Sequence, residues 1–369
     1  MPDKFKVAII GHTGRGDYGH GFDACWRELD NVHIVAVADP HEGGRAAAQK
    51  RLGGVPAFAD YVEMLDRTKP DIVSICTRHP DQHQAMFLAA AERGIHAYME
   101  KPMCATPAEA DAMVEASQKH KAKLALGYVT RYSPLVDVVS GLIMDGAIGD
   151  VLEYRTRGKE DSRRGGGEDL MVLGSHLMNL IHTFGGEPDW CFSKMMQDGR
   201  PVTKEHVRPG AESLGPLAGD NVHAVFGLDE GRIATFDSVR GAGTGRPWRF
   251  AMQIMGSKGI IEIQTGYLPP CAILQDPSWC PALSGKKWQP ISSAGVGKPE
   301  PFKGDYRLEG NVVACRDLIQ AIRDDRQPEC DVRQGQVVIE MINAVFDSHR
   351  RGGPVNFPLE TRENALGLL

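Results

Sequence analysis

The chain has 369 residues, enough for two domains with a core each, and its 42% hydrophobic and 24% charged residues are typical of a globular protein. Its formal net charge of −6 argues against nucleic acid or an anionic membrane as the main partner. No hydrophobic run approaches the roughly 18–20 residues that cross a bilayer, and the chain starts without a signal-peptide pattern, so we expect a cytoplasmic protein.

Eight cysteines are scattered through the chain without a CxxC pair, and the thirteen histidines include no HExxH motif. Cysteines in a cytoplasmic protein of this length are expected to stay reduced and to be structural. Metal sites need clustered His, Cys or carboxylate ligands, and this sequence shows no such cluster. We therefore predict that the protein binds no metal.

The first third of the chain alternates predicted strands and helices. The strands are predicted at residues 6–10, 33–38, 71–77, 96–99 and 124–129, and the helices at 22–29, 80–93 and 106–120. Thr106 and Glu109 form a capping box at the start of the last of these helices. Such alternation predicts an α/β domain with a parallel, doubly wound sheet and helices on both faces.

A glycine-rich segment follows the first predicted strand. Gly14, Gly16 and Gly19 match the G-x-G-x-x-G pattern, three residues further from the strand than usual. Gly11 stands where the first glycine of the pattern is expected. Glycines let the backbone approach a pyrophosphate, which a helix N-terminus then stabilises, whereas the alternative is a flexible loop without a ligand. The residues predicted to bind a dinucleotide here are Gly11, Thr13, Gly14, Arg15 and Gly16.

Asp39 ends the second predicted strand, about 20 residues beyond the glycines. An acid at this position accepts hydrogen bonds from the adenosine ribose hydroxyls and repels a 2′-phosphate. We therefore predict NAD as the cofactor and regard NADP as the weaker ligand. Arg45 lies close enough to reduce this preference. The alternative for Asp39 is a solvated turn residue before Pro40.

The strand at residues 96–99 ends in Glu100, Lys101 and Pro102. Proline restricts Lys101 to an extended backbone and leaves the Lys-Pro bond able to be cis. Open α/β sheets bind their ligands at the carboxyl ends of strands. A lysine placed there can hydrogen-bond a substrate hydroxyl or help to move its proton, and the alternative is a solvated lysine at a strand end.

The pattern changes near residue 127, so we predict one domain at residues 1–126 and a second at residues 127–369. In the second, helices are predicted at 133–148, 170–184 and 310–323, and strands at 151–159, 190–195, 222–228, 233–239, 250–255 and 260–264. The spacing of these strands suits an antiparallel sheet. Residues 197–219 and 266–305 are predicted to be long loops that serve function or contacts between subunits.

Five segments, taken in order, carry a resemblance to a known family. They are residues 77–83; Glu100-Lys101-Pro102; Gly127-Tyr128-Val129-Thr130-Arg131-Tyr132-Ser133-Pro134; Gly165-Gly166-Gly167 followed by Gly174-Ser175-His176; and Pro354-Val355-Asn356-Phe357-Pro358-Leu359. They resemble the motifs of the Gfo/Idh/MocA family of oxidoreductases over nearly the whole chain. The resemblance implies an N-terminal Rossmann domain and a C-terminal α+β domain with a large open, mostly antiparallel sheet. It adds Thr77, His83, Glu100 and Lys101 to the predicted cofactor-binding residues.

The catalytic set of this family is a lysine, an aspartate and a histidine. By resemblance, Lys101 matches the lysine and His176 the histidine. The aspartate, four residues before the histidine, is replaced by Val172, and the next acid of the family is replaced by Asn179. Asp169 shares a face with His176 on a regular helix, but two turns, about 10 Å, separate them. We expect Asp169 to enter the pocket without touching His176.

Oxidation of a secondary alcohol needs a base for the hydroxyl proton, and imidazole suits this role because it titrates near neutrality. We predict that His176 is this base, and the alternative is a histidine packed in the core. The predicted substrate-binding residues are Lys101, Tyr128, Arg131, Arg157, Asp169, His176 and Asn179. Basic side chains precede the glycine triplet and form either a solvated surface or a site for an acidic sugar; they are Arg131, Arg155, Arg157, Lys159, Arg163 and Arg164. Tyr128 and Trp279 either stack on a sugar or pack in the interior.

The leading interpretation is an NAD-dependent oxidoreductase that transfers hydride between nicotinamide and a secondary alcohol of a sugar, glycoside or cyclitol. One alternative is NAD-assisted glycoside cleavage with no net redox change, and another is a dinucleotide-binding sugar sensor without turnover. Apolar residues on the open sheet, such as Ile233, Phe236 and Val239, predict a homodimer or homotetramer. The sugar, the carbon and the direction of the reaction stay open.

Overall fold

The computed structural model describes residues 4–245 and 249–369, and the chain forms two compact units. The first unit contains the chain up to Tyr128, together with Ala211–Gly215 and Arg307–Ile339. The second contains Val129–Gly210, Pro216–Tyr306 and Glu340–Leu369. Each unit is therefore built from segments that lie far apart in the sequence.

The first unit is built on a parallel six-stranded sheet. Its strands are β1 (Phe5–Ile10), β2 (Val32–Ala38), β3 (Ala57–Phe58), β4 (Ile72–Ile75), β5 (His96–Met99) and β6 (Leu124–Leu126). Its first helices are α1 (Glu42–Arg51), α2 (Tyr61–Thr68), α3 (His83–Ala91) and α4 (Pro107–His120). The strand order β3-β2-β1-β4-β5-β6 confirms the predicted doubly wound sheet. The order reverses at β1 and β4, where sheets of this kind bind ligands.

The start of α4 shows how local sequence fixes an element. The Thr106 hydroxyl accepts the N–H of Glu109 at 3.3 Å, and the Glu109 carboxylate accepts the N–H of Thr106 at 2.9 Å. This is the predicted capping box. In contrast, α1 was not predicted, because only Ala48 is buried in it and the helix carries hardly any apolar stripe. The sequence also missed α2, although Asp60 caps it and Met64 and Leu65 are buried.

The predicted helix at residues 22–29 is wrong. Only a 3₁₀ turn, Cys25–Glu28, forms there, preceded by a run of turns. Gly19 and Gly21, which precede the predicted helix, have φ values of 60° and 86°, so no helix can begin before residue 22. The Phe22 ring stacks on Tyr98 with 4.5 Å between ring centroids, so tertiary packing directs this segment. The sheet therefore lacks a long helix directly after β1.

The second unit is built on an eleven-stranded sheet with a short two-stranded ribbon beside it. In chain order its elements are α5 (Pro134–Met144), β7 (Val151–Arg157), α6 (Gly167–Asp169), α7 (Ser175–Gly185), β8 (Pro188–Gln197), β9 (Arg200–Pro201), β10 (Arg208–Pro209), β11 (Pro216–Leu217), β12 (Asn221–Leu228), β13 (Ile233–Val239), β14 (Ala251–Gly256), β15 (Gly259–Gln264), β16 (Cys271–Leu274), α8 (Pro281–Ser284), β17 (Gln289–Ser292) and β18 (Gly295–Val296). The last elements of the chain are α9 (Tyr306–Arg323), α10 (Val332–Arg351) and β19 (Val355–Asn356). The sequence did not predict α10, whose β-branched run at residues 337–339 is typical of a strand.

The main sheet of the second unit has the order β18-β17-β16-β15-β14-β7-β13-β12-β8-β19, with β9 beside β8. Its pairs are antiparallel except for the parallel pair of β13 and β7, which confirms the mostly antiparallel prediction. The helix region before and along α7 packs on one face of this sheet. A Cβ atom on Gly174 would stand 2.9 Å from the Phe236 ring, and one on Gly185 would stand 3.1 Å from the Tyr154 ring.

Five residues, Leu170–Gly174, join α6 to α7 as a π-helix. The sequence predicted one regular helix at 170–184. A π-helical turn holds one residue more than an α-helical turn. Although Asp169 is seven residues before His176, it therefore lies where a residue six positions before His176 would lie on a regular α-helix. The two side chains are then about 120° apart around the helix axis. The predicted shared face of Asp169 and His176 is therefore wrong.

All eight cysteines are free, and seven of them are buried. Within residues 4–245 and 249–369, no helix is both long enough and apolar enough to cross a membrane.

Candidate functional site

The glycine-rich loop lies against the carboxyl end of β4. A Cβ atom on Gly16 would stand 2.4 Å from the backbone nitrogen of Arg78, and the φ of Gly16 is 90°, so only glycine fits there. The Thr77 hydroxyl donates to the carbonyl oxygen of Arg15 at 2.6 Å and fixes the loop. A Cβ atom on Gly14 would meet no described atom within 4 Å, so the loop is open on that side.

Arg15 is held by side chains that no sequence pattern connects to it. Its guanidinium lies 2.6 Å from the Asp81 carboxylate and donates to the Ser213 hydroxyl at 2.7 Å. The same hydroxyl lies 3.1 Å from Nδ1 of His79. Ser213 belongs to the short segment Ala211–Gly215 that joins the first unit, and no local pattern in the sequence marks it.

Asp39 is fully buried at the end of β2, with 0% of its surface exposed. Its carboxylate accepts four hydrogens: those of the Thr13 N–H, the Thr13 hydroxyl, the Tyr18 hydroxyl and the His41 N–H. Arg45 donates to the carbonyl oxygen of Asp39 at 2.8 Å, so its guanidinium lies beside the acid. The interpretation of Asp39 as a solvated turn residue is therefore wrong.

Glu100, Lys101 and Pro102 follow β5 directly, and the Lys101–Pro102 peptide is cis. Lys101 is 9% exposed, and its N–H donates to Oε2 of Glu100 at 2.6 Å. The other carboxylate oxygen, Oε1, contacts Nδ1 of His20. Burial raises the pKa of Glu100, but the His20 hydrogen bond and the charge of Lys101 bring the pKa below its usual value. Lys101 is thus mostly covered and not a solvated lysine.

Asn311 of α9 supports this turn, and the sequence did not single it out. Its amide donates to the carbonyl oxygen of His20 at 2.9 Å and accepts the Tyr98 hydroxyl at 2.6 Å. These bonds join α9 to β5 and to the glycine-rich loop, which holds His20 beside Glu100.

His83 lies at the start of α3 and is fully buried. Its Nε2 is 2.7 Å from the carbonyl oxygen of Thr77, and its Nδ1 is 3.0 Å from that of Pro102. Burial lowers the pKa of His83, and the two carbonyls oppose this effect. The ring therefore connects the ends of β4 and β5, which places this predicted cofactor residue in a supporting position.

In the second unit, Val172 is buried within the π-helix and His176 is half-buried at the start of α7. Asn179 is buried one turn later, and its carbonyl oxygen accepts the Thr183 hydroxyl at 2.7 Å. The half-exposed imidazole of His176 is consistent with a group that meets a ligand.

Asp169 is fully buried. Its Oδ2 accepts the Ser238 hydroxyl at 2.7 Å and the Glu160 N–H at 3.0 Å. Burial raises the pKa of Asp169 to about 6, although these hydrogen bonds lower it. The carboxylate thus holds the turn at Glu160 against β13, and this burial does not support its predicted contact with substrate.

Most of the predicted basic side chains are paired with acids. The pairs are Arg157 with Glu160 at 3.7 Å, Lys159 with Asp161 at 3.8 Å, Arg164 with Glu168 at 3.3 Å, and Arg155 with Glu153. Arg131 is half-buried, and Arg163 is exposed. These pairs offset most of the positive charge on which the idea of an acidic sugar depended.

The two predicted stacking residues pack against protein. Tyr128 is fully buried. Trp279 packs on Met255, Ile260 and Leu274, and its Nε1 donates to the carbonyl oxygen of Gly256 at 2.8 Å. Both observations favour the alternative of interior packing.

Comparison with protein families decides the identity of the fold. Residues 5–128 match the oxidoreductase family model with an NAD-binding Rossmann fold, and residues 141–357 match the C-terminal alpha/beta domain of the same family. The chain belongs to the Gfo/Idh/MocA oxidoreductase family.

The relatives of this Gfo/Idh/MocA protein include sugar dehydrogenases. The levoglucosan dehydrogenase of Pseudarthrobacter phenanthrenivorans is 25% identical over 88% of this chain and 89% of its own length. The D-apiose dehydrogenase of Paraburkholderia graminis is 32% identical over 40% of this chain, and the match spans only 38% of that protein. A levoglucosan dehydrogenase solved with NADH and levoglucosan has a TM-score of 0.75 at 20% identity, covering 96% of this chain and 99% of its own, which shows the shared fold.

The first unit fits the NAD that its family fold binds. The glycine loop leaves Gly14 open at the crevice between β1 and β4, Arg15 provides a cation beside it, and Asp39 stands at the end of β2. These residues, with Lys101 at the end of β5, are the ones that would hold a dinucleotide. Among the described residues, no cluster of three His, Cys, Asp or Glu side chains is suited to a metal ion.

Proposed function

We propose that this protein is an NAD-dependent oxidoreductase acting on a secondary alcohol of a sugar, glycoside or cyclitol. The observation that carries the proposal is Lys101, nearly covered and held at the carboxyl end of β5 in the Rossmann sheet of this family. Relatives named for D-apiose and levoglucosan support a carbohydrate substrate.

Bound NAD would supply the hydride acceptor, and NADH the hydride donor. Lys101 donates a hydrogen bond to the carbinol oxygen and stabilises the negative charge that grows there as the proton leaves. Glu100 keeps this lysine in place through its N–H, and His20 and Asn311 hold Glu100 and the loop beside it. The carboxylate therefore orients Lys101 and does not react.

His176 takes the hydroxyl proton during oxidation and returns it during reduction. In the oxidative direction the alcohol loses this proton and one hydride, so its carbon becomes a ketone. Val172 offers no carboxylate to orient the imidazole of His176.

The test is the formation of NADH, followed by absorbance, with the purified protein, NAD and a panel of sugars. The panel contains levoglucosan, D-apiose, methyl glucosides and inositols, each also assayed with NADP. We expect NADH with at least one of them and weaker activity with NADP. Ligand-dependent stabilisation in a thermal shift assay without turnover on the whole panel would favour a sugar sensor instead.

A second candidate, NAD-assisted glycoside cleavage with no net redox change, is favoured by one observation. Val172 places a buried apolar side chain where the family has its aspartate. Released aglycone without accumulated NADH would establish this reaction. The Val172→Asp variant separates the two: alcohol oxidation that rises or stays equal favours the dehydrogenase, whereas complete loss of activity indicates a pocket rebuilt for other chemistry.

A further inference from the structure

The accepting capacity of Oδ2 of Asp39 is used up. Each carboxylate oxygen offers about two lone-pair sites, and Oδ2 already accepts three hydrogens, those of the Thr13 N–H, the Thr13 hydroxyl and the Tyr18 hydroxyl, whereas Oδ1 accepts the His41 N–H and shares the Thr13 N–H. The closest donors are the Thr13 hydroxyl at 2.7 Å, the Tyr18 hydroxyl at 2.9 Å and the His41 N–H at 2.9 Å. A ribose hydroxyl that binds Oδ2 of Asp39 must therefore displace one of the donors on this oxygen.

Tyr18 is the donor that is easiest to displace. The Thr13 N–H and the His41 N–H belong to the backbone, and the Thr13 side chain is enclosed, because a Cβ atom on Gly44 would stand 1.8 Å from its hydroxyl. Thr13 and Tyr18 are both half-buried, but the Tyr18 hydroxyl makes a single bond to Asp39, whereas Thr13 binds the carboxylate through both its N–H and its hydroxyl.

The backbone around Tyr18 is held in place. A Cβ atom on Gly16 would stand 2.4 Å from the Arg78 nitrogen and one on Gly19 2.6 Å from the Cys76 carbonyl oxygen, and His12 and Asp17 form a β-bridge. Displacement of the hydroxyl therefore concerns the Tyr18 side chain and not the loop backbone.

The tyrosine ring has a defined resting place. A Cβ atom on Gly11 would stand 2.3 Å from the ring, so the ring lies directly on the backbone at the end of β1. The Arg51 guanidinium lies 4.7 Å from the ring centroid and is bound to the Asp23 carboxylate at 2.7 Å. The hydroxyl thus points at Asp39 from a position at the ligand-binding edge of the sheet.

We propose that the Tyr18 hydroxyl takes the place of an adenosine ribose hydroxyl on Asp39, and that NAD binds by displacing it. Tyr18 is then a specificity residue that sets the affinity for the dinucleotide. This inference rests on the proposed function, since it takes NAD as the ligand. A 2′-phosphate cannot donate to Asp39, so NADP does not gain the bond that replaces Tyr18.

The experiment is calorimetric titration of the wild type and Tyr18→Phe with NAD and with NADP. A hydrogen bond to a charged group corresponds to roughly a 10-fold change in affinity or more. Tyr18→Phe should therefore bind NAD about 10-fold tighter, with NADP affinity unchanged or weaker. ADP-ribose should show the same gain as NAD, whereas nicotinamide mononucleotide, which lacks the adenosine ribose, should show none.

Tyr154→Phe is the matched control, because it removes a tyrosine hydroxyl that donates to Phe184 at 2.6 Å in the second unit. Its NAD affinity should equal that of the wild type. Arg51→Met removes the guanidinium that lies over the Tyr18 ring but leaves the hydroxyl in place, so it should also raise NAD affinity. This variant tests the inference if Tyr18→Phe does not fold. The double variant Asp39→Asn, Tyr18→Phe should lose the gain in NAD affinity that Tyr18→Phe shows alone.

Equal NAD affinity in the wild type, Tyr18→Phe and Arg51→Met would overturn this inference and leave the proposed function standing. Failure of the wild type and both variants to bind NAD would overturn both this inference and the proposed function.

Discussion

Lys101 and His176 are the two residues on which the proposed reaction depends, and the structure gives each a distinct setting. Lys101 is nearly covered at a strand end, whereas His176 is half-exposed at the start of a helix. A covered cation suits the stabilisation of a developing negative charge, because little water competes with it.

Substitution of either residue should therefore reduce turnover and not cofactor binding. Lys101→Ala and His176→Ala should each lower the turnover number by about 100-fold or more, the usual effect of losing an acid–base group. NAD affinity, measured by calorimetry, should stay nearly unchanged. Lys119→Ala and His182→Ala are matched controls, the first in the last turn of α4 and the second on the same helix as His176. Wild-type turnover in His176→Ala would contradict the assignment.

Asp169 should make the stability of the protein depend on pH, because burial raises its pKa in the folded protein from the usual 3.8 to about 6. Between these two pH values the folded protein binds more protons than the unfolded one. Stability must therefore fall as the pH rises through this window, and the penalty is complete above about pH 6. Its size is about 3 kcal/mol at most.

The Asp169→Asn variant should remove this penalty, because its amide oxygen can still accept from Ser238 and Glu160. Thermal melts at pH values from 4 to 8 should show the wild type losing stability across the window and the variant losing less. Asp145→Asn changes an exposed carboxylate of the same unit and should leave the profile unchanged. Turnover of Asp169→Asn should fall less than that of His176→Ala.

At the scale of the element, the π-helix decides how α7 meets the sheet. One extra residue in Leu170–Gly174 rotates everything before it relative to His176. Gly174, at the end of this segment, lies so close to the sheet that a Cβ atom would stand 2.9 Å from the Phe236 ring and 3.3 Å from the carbonyl oxygen of Asp169. The helix therefore reaches the sheet only because position 174 has no side chain.

Two glycine-to-alanine changes should move stability in opposite directions. Gly174→Ala overpacks the contact with Phe236 and should destabilise the protein by about 1–3 kcal/mol. Gly141→Ala, inside α5, meets no described atom within 4 Å and should stabilise it by about 0.5–1 kcal/mol, because alanine loses less backbone entropy in a helix. Thermal unfolding of both variants checks this. A neutral Gly174→Ala would show that α7 can shift on the sheet.

At the scale of the whole molecule, the face of the main sheet opposite α7 carries a row of partly exposed side chains. Phe192 of β8 faces Val225 of β12, which faces Thr235 of β13, which faces Arg155 of β7. Phe192 is 45% exposed. Ile233 and Val239 share this face because they alternate with buried residues along β13. Phe236 is buried on the opposite face of the sheet. The prediction that Phe236 belongs to the contact surface is therefore wrong.

A second copy of the chain should cover this face, so light scattering at micromolar concentration should show a dimer or tetramer. Phe192→Arg should lower the oligomer mass, because it buries a charge in the contact. Leu283→Arg is the control, since Leu283 is more exposed but lies in α8 and not in a strand of the sheet. A wild type that stays monomeric throughout would contradict the prediction.

The sequence by itself determined the parallel sheet, the capping box at Thr106, and the Lys101 turn at the end of β5. These features depend on hydrophobic periodicity and on contacts between near neighbours, which a local pattern records. The same reasoning placed Asp39 at the end of β2.

Only the tertiary structure decided which donors surround Asp39, that Ser213 and Asn311 hold the glycine loop and the Lys101 turn, and that the helix before His176 contains a π segment. Each of these depends on groups brought together from distant parts of the chain. Ser213 is 198 positions from Arg15 and Asn311 is 291 from His20, and no periodicity spans such distances. The helix expected at residues 22–29 is replaced by a 3₁₀ turn, and Phe22 of this segment stacks on Tyr98, a contact that no local pattern records.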